Sequence, residues 1–205
     1  MAITNRIYLV SKSPRRRELL KQMSINFELL LLREFPSVRA DVDETPKPNE
    51  PAEAYVVRLA REKAEIGAQR IRERHLPLLP VLSADTTVVL NGEIIGKPRS
   101  ADEAIAILTR LSGRSHRVCT GVAVANGQHM VSALSVTEVE FRTLTEQEIR
   151  NYVGTGEPMD KAGAYAIQGK AAAFISNILG SYSGVMGLPL FETVSLLKQV
   201  GFSFL

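Results

Sequence analysis

The 205-residue chain has one cysteine, three histidines and no tryptophan, and each scarcity closes a class of function. A lone Cys119 forms no intramolecular disulfide, which predicts a reducing compartment, the cytosol. His75, His116 and His129 are scattered singly, so with Cys119 they do not assemble a standard structural zinc site. No apolar run approaches the ~20 residues that cross a bilayer, and residues 1–6 lack the apolar stretch and cleavage site of a signal peptide. The chain is expected to be soluble, without a membrane partner. An excess of one charge is missing too: 25 Lys and Arg against 22 Asp and Glu leave +3, too little for a protein that coats nucleic acid. Any anion it binds, it binds locally. With 45% hydrophobic residues and no repeat, low-complexity tract or linker, residues 1–205 are expected to form a single domain, in one body or two small fused lobes.

The elements that can be read form an α/β series. Ile7-Tyr8-Leu9-Val10 suits a short buried strand, and Ser13-Pro14 behind it is an N-cap and first helical residue, with Leu19, Leu20 and Met23 continuing a helix. From Arg33 to Glu50, three prolines and no sustained period predict a long surface loop carrying Asp41, Asp43 and Glu44. Pro51 to about Arg74 reads as a long helix with Ala54, Val57, Ala60, Ala64, Ala68 and Ile71 on one face. Val81 to Ile95 alternates and is broken by Asn91-Gly92, a hairpin signal. Ser100 with Glu103 and Thr145 with Glu148 are capping boxes for two further helices, which end near Gly113 and Val153. Between those helices, Arg117–Ala125 and His129–Arg142 read as two long strands. A last helix runs from about Leu190 to Val200 and stops at Gly201.

Several residues are misplaced for structure alone. Arg15, Arg16 and Arg17 occupy the first turn of a helix, where the macrodipole favours anions and a cation costs ~0.3–1 kcal/mol. A phosphate there would satisfy both the N–H groups and the guanidinium forks, with Ser11 and Ser13 adding hydroxyls; the plainer reading has the arginines fanned into solvent. Asp85 lies inside a strand, on the parity of Val81 and Val89, so its carboxylate must be paired, protonated or on a metal unless a bulge turns it to water. Flanked by hydroxyls such as Thr86, it is a reasonable base or magnesium ligand. Lys63 rises beside the apolar stripe of its helix and reaches either inward or outward. Lys97 on a turn reads as solvated, and Gln168-Gly169 follows small residues that also suit close packing. There is no Walker-A pattern and no dinucleotide fingerprint, and Gly180-Ser181-Tyr182-Ser183-Gly184 has tyrosine where a nucleophile elbow has serine. This inventory points to phosphate chemistry by acids and bases without a protein nucleophile.

Five separated segments resemble, in order, the Maf family of nucleoside triphosphate pyrophosphatases. They are Ser11-Lys12-Ser13-Pro14-Arg15-Arg16, Val42-Asp43-Glu44, Leu59 to Ala64, Ser83-Ala84-Asp85-Thr86 with Gly96-Lys97-Pro98 beyond it, and Asp160 to Gly169. The resemblance implies an α/β, two-lobed, elongated Maf-like (ITPase-like) fold with a central mixed, bent sheet and a cleft between lobes, commonly as a homodimer. It implies cleavage between the α- and β-phosphates with a divalent metal, Mg2+ or Mn2+. Carried over by position, Ser11, Arg15, Arg16, Thr86, Lys63, Lys97 and Gln168 would bind substrate, Glu44 and Asp85 would hold the metal, and Asp85 would orient or deprotonate the water.

The branch of the family that prefers dTTP and UTP resembles this chain at Pro14-Arg15-Arg16, Ala84-Asp85-Thr86 and Ile167-Gln168-Gly169. The branch that prefers 7-methyl-GTP usually has an aromatic residue in place of Arg15, Ser-Asp-Gln around the aspartate and Glu in place of Gln168. An amide at Gln168 both donates to and accepts from a uracil-type edge, whereas a carboxylate suits a cationic methylguanine. One departure is Lys12, where the family usually has a small residue; its side chain either points away or adds charge near the phosphates, and in both cases the reaction class is unchanged. The resemblance therefore implies a house-cleaning hydrolase. A binding regulator of septum formation, acting on nucleotide or nucleic acid without essential catalysis, is the competing class, and a 7-methyl-GTP pyrophosphatase the competing substrate assignment.

Overall fold

The computed structural model describes residues 6–32 and 41–204. Residues 33–40, the first part of the loop expected after Leu32, lie outside the described residues. The described chain forms strands β1 (Arg6–Val10), β2 (Asn26–Leu29), β3 (Val81–Leu90), β4 (Glu93–Ile95), β5 (Ser115–Asn126), β6 (His129–Phe141) and β7 (Ile175–Leu179). Its helices are α1 (Pro14–Gln22), α2 (Ala52–Glu73), α3 (Ala101–Leu111), α4 (Glu146–Val153), α5 (Tyr182–Met186) and α6 (Leu190–Gln199), with 3-10 turns at Ala162–Ala164 and Lys170–Phe174. The sheet is mixed, in the order β2-β1-β3-β5-β6-β7, with β4 on β3. No helix among the described residues is long and apolar enough to cross a membrane.

The chain divides into two compact units that exchange segments. Unit 1 is residues 1–85, 120–134 and 187–205; unit 2 is residues 86–119 and 135–186. In unit 1, β1 pairs in parallel with β2, Leu9 opposite Leu29, and with the start of β3, Val10 opposite Ser83. Its core gathers Tyr8, Val10, Leu30, Ala60, Ala64, Ile71, Val81, Ala123 and Ala125. In unit 2, β3 and β4 are antiparallel across Asn91-Gly92, both at positive φ (52° and 83°), as a two-residue hairpin turn requires. Its core contains an edge-to-face aromatic group of His116, Phe141, Tyr152, Tyr165 and Phe174, with ring centroids 4.9–6.2 Å apart.

The helix ends follow their signals with one variation. Thr145 and Glu148 make the reciprocal capping box at α4. At α3, Ser100 Oγ accepts from Glu103 N at 3.1 Å, but the Glu103 carboxylate reaches one residue further back, to Arg99 N at 2.7 Å. Ser13 is the N-cap of α1 with Pro14 at the first helical position, and its side chain makes no capping bond.

Two expected patterns are corrected. β3 does not alternate: eight of its ten residues are buried, and only Asp85 and Thr86 at its middle are half-exposed. A strand paired on both sides and covered by helices buries both faces. The buried stripe of α2 is Ala52, Val56, Leu59, Ala60, Ala64, Gly67 and Ile71, whereas Ala54 is exposed and Val57 and Ala68 are half-buried. The helix is rotated towards its smallest residue because α2 lies unusually close to the strands. A Cβ on Gly67 would come within 2.7 Å of Val10 Cγ2 and 2.8 Å of Val81 Cγ1. A Cβ on Gly121, in β5, would fall on the α2 backbone, 2.7 Å from Val57 N. Rigid main chain cannot yield as a flexible side chain does, so a methyl group there overpacks the interface. Gly121→Ala is expected to lower unfolding stability by ~1–3 kcal/mol, measured as a shift of the urea midpoint at constant slope; an unchanged midpoint would contradict the close approach.

Candidate active site

In unit 1, the close seat of α2 places Lys63 over the middle of β3. Ser83 Oγ donates to Ala60 O, tying the strand to the helix one turn before the lysine. Lys63 Nζ lies 2.7 Å from Asp85 Oδ1 and 2.6 Å from Glu44 Oε1. Asp85 is therefore paired, its carboxylate on Lys63 and largely withdrawn from water. Its side chain and that of Lys63 are 15% and 16% exposed, against 52% for Glu44, so the pair is largely withdrawn from water and the glutamate forms its open edge. Burial works against the ammonium, but Asp85 and then Glu44 outweigh it, and the Lys63 pKa is raised above the usual 10.5. The same two carboxylates, after burial, push the Tyr55 phenol up to about 12.

The arginine-rich turn is built into this group. Arg16 Nε donates to Gly187 O at 2.7 Å, and its Nη1 donates to Ala84 O at 2.7 Å and to Ser11 Oγ at 3.3 Å. Arg16 thus bridges the end of β1, the residue before Asp85 and the chain ahead of α6, and it does not fan into solvent. Burial lowers its pKa while Asp85 works the other way, and a guanidinium keeps its charge regardless. Ser11 Oγ also accepts from Ser13 N at 3.1 Å. Both contacts use the oxygen as acceptor, so the hydroxyl proton is the group directed elsewhere. Arg15 is half-buried in the same turn, where no acidic residue offsets the three arginines.

The remaining expected residues belong to unit 2. Thr86 follows Asp85 directly and is half-buried, while Lys97 and Gln168 are exposed. Their two loops are linked: Gly163 N donates to Gly96 O at 3.1 Å, beside Lys97. Gly163 and Ala164 both adopt positive φ (71° and 58°), and a Cβ on Gly163 would meet Val88 Cγ2 at 2.7 Å. For alanine that conformation is strained, the kind of local strain that gathers at functional loops. The far end of the Gln168 loop is fixed by Glu157, which accepts from Tyr152 OH at 2.9 Å and from Lys170 N at 3.2 Å, its carboxylate filling the space beside Gly169.

His116 is buried in the aromatic core with Nε2 2.9 Å from Tyr165 OH, and burial pulls its pKa down to about 4. It is a neutral core residue. Among the described residues no group of three or more His, Cys, Asp or Glu side chains is placed to hold a metal ion. Glu44 and Asp85 are two hard carboxylates turned towards one cation, which is the protein share that magnesium takes when phosphate and water complete its shell. The donor set fits such an ion.

The sequence model described as Maf-like protein matches residues 6–200. The chain belongs to the Maf family. It is 59% identical over 201 residues, 98% of both chains, to a dTTP/UTP pyrophosphatase of Aromatoleum aromaticum. It is 55% identical to a Dechloromonas aromatica protein of the same name, covering 96% of this chain and 98% of that one. A solved HAM1 protein from Coxiella burnetii is similar in fold, with TM-score 0.53 and 19% identity over 96% of this chain and all of that one.

Of the Maf residues expected from sequence, Ser11, Arg16, Glu44, Lys63 and Asp85 come together in unit 1, and the loops of Lys97 and Gln168 are joined in unit 2. Sequence reading passed over Tyr55, Arg58 and Glu50, which fasten the Glu44 loop to α2. The available signal was Glu50 just ahead of the helix together with an Arg58 and Glu62 pair at i,i+4 within it. Because Lys63 is protonated more tightly folded than unfolded, its stabilisation is complete below pH 10.5 and is lost as pH rises through the higher folded value. The difference in unfolding free energy between wild type and Lys63→Met is expected to be constant from pH 7 to about 9.5 and to shrink above 10.5, by chemical denaturation at each pH; a difference that grows with alkalinity would contradict the pairing.

Proposed function

We propose that this chain is a nucleoside triphosphate pyrophosphatase that hydrolyses dTTP and UTP to the monophosphate and pyrophosphate. The observation that carries the reading is the Lys63 ammonium held between Asp85 and Glu44 at the half-open middle of β3, in a chain 59% identical to a protein of that name. The negative charge of the triphosphate calls for cations, and Arg15, Arg16, Lys63 and Lys97 are the ones that the family pattern offers. Arg16 acts chiefly by frame-building, since its Nε and Nη1 hold main-chain carbonyls; Arg15 and Lys97 are the countercharges for phosphate oxygens. The Ser11 hydroxyl proton and Thr86 supply hydrogen bonds.

Glu44 and Asp85 would hold a Mg2+ or Mn2+ ion, whose chemistry there would be to neutralise charge on the phosphate oxygens. Asp85 orients a water through Oδ2 while Oδ1 stays with Lys63. The water oxygen bonds to the α-phosphorus, its proton passes to Asp85, and the bridging oxygen leaves with its electron pair on pyrophosphate. Lys63 stabilises the charge that develops there, so no protein nucleophile is required. Gln168 reads the pyrimidine edge, its amide matching both a donor and an acceptor.

Cytosolic placement follows from the substrate pool and the lone cysteine. In a homodimer the exposed Val136, Leu179 and Tyr182 of unit 2 would be covered. The chain acts as a single domain in this reading, because its two units share three strands.

Pyrophosphate release from dTTP, UTP, CTP, 7-methyl-GTP and ITP tests the assignment. Wild type is expected to turn over dTTP and UTP fastest, and Asp85→Asn to lose ~10²–10⁴-fold in kcat, the usual worth of a positioned base. Faster turnover of 7-methyl-GTP would overturn the base assignment. Nucleotide binding without turnover would favour a regulator.

A further inference from the structure

Unlike Arg16, Lys63 and Asp85, which sit on helices and a strand, Glu44 comes from a ten-residue stretch with no helix or strand, residues 41–50. We infer that Arg58 is a positioning residue that delivers Glu44 to the Lys63 and Asp85 pair, an inference that rests on the pyrophosphatase reading for what Glu44 does once there. One guanidinium meets the loop at three points. Arg58 Nε and Nη2 make a bidentate pair with Glu50 Oε1 and Oε2, at 2.6 and 2.7 Å. Arg58 Nη2 also donates to Thr45 O at 3.2 Å, the residue directly after Glu44. Its Cζ lies over the Tyr55 ring, 5.6 Å from the centroid, and the Tyr55 hydroxyl donates to Glu44 O itself at 2.9 Å.

The loop is drawn tight from within as well. Glu50 Oε2 accepts from Lys47 N at 2.9 Å, and Asp43 Oδ1 accepts from Thr45 N at 2.9 Å. At its start, Asp41 Oδ1 accepts from Arg70 Nη2 at 2.8 Å. Arg70 and Arg58 thus anchor the two ends, and Arg58 alone also grips the residue beside Glu44. Its fork is withdrawn from water, with 15% exposure against 9% for Glu50, so the bond geometry is firmly set. A lysine offers a point charge and no planar fork, and would not reproduce the pair together with the Thr45 contact. Arg58 lies beside the buried stripe of α2, not in it, so the seat of the helix does not depend on it.

The test is a double-mutant cycle between Arg58→Met and Glu44→Gln, read as the Mn2+ concentration that gives half-maximal pyrophosphate release from dTTP. Arg58→Met is expected to raise that concentration by ~10- to 100-fold, the usual effect of losing a group that orients a metal-binding side chain. Arg58→Lys is expected not to restore it. In the Glu44→Gln background, Arg58→Met should add less than about a twofold effect, because its action passes through Glu44. Equal loss in both backgrounds would overturn the inference, since a general effect on folding does not depend on which carboxylate is present.

Tyr55→Phe, which removes only the bond to Glu44 O, is the milder variant if Arg58→Met folds poorly, and its expected shift is in the same direction. Hydrogen exchange of residues 41–50 without nucleotide separates this inference from the pyrophosphatase reading. Faster exchange in Arg58→Met supports it even if no triphosphate is turned over, and unchanged exchange overturns it whatever the activity.

Discussion

The site depends on how closely α2 can lie on the strands beneath it. Gly67 and Gly121 remove the side chains that would hold helix and sheet apart, and Ala60 and Ala64 complete a buried face of small residues. At that separation a lysine one position before Ala64 reaches a carboxylate on β3, and a serine two residues before the carboxylate reaches the helix backbone. A larger residue at either glycine would displace the ammonium from Asp85 without touching any group that meets substrate.

Electrostatics then decide what such a contact is for. A partly buried ammonium and carboxylate gain little net stability, because desolvation offsets most of their attraction. Glu44 changes that balance: two carboxylates share one ammonium, and the more exposed of them offers its oxygens at the open edge, where a second cation can approach. In the proposed reaction Lys63 keeps Asp85 in a fixed orientation and screens it from a polyanionic substrate. Arg16 serves the same end through the main chain, because it holds Ala84 and Ser11, the neighbours of the reacting groups, in one hydrogen-bonded frame.

Much of this was legible in the sequence where a residue contradicted its surroundings. Asp85 in an apolar strand and Arg16 in an arginine run at a helix start both fall in the unit 1 cluster, and the hairpin and the capping boxes carry their own local chemistry. Lys63 was ambiguous because a position flanking an apolar stripe goes either way until the facing strand is known. The stripe of α2 was misplaced because Gly67 counts as no apolar residue, although it marks the closest contact. Strands β2 and β7 were missed for a shared reason: they are the two ends of the sheet path, largely exposed, and so carry no burial pattern to read. The grip of Arg58 on the Glu44 loop has no periodic signal, since it joins a helix to a segment without one.

Phosphorus-31 NMR of dTTP incubated with the protein and magnesium tests the central claim most directly. The account predicts that the triphosphate resonances are replaced by those of dTMP and pyrophosphate in equal amounts, and that Lys63→Met slows their appearance. Formation of dTDP with inorganic phosphate, or an unchanged dTTP spectrum with active-site residues intact, would contradict it.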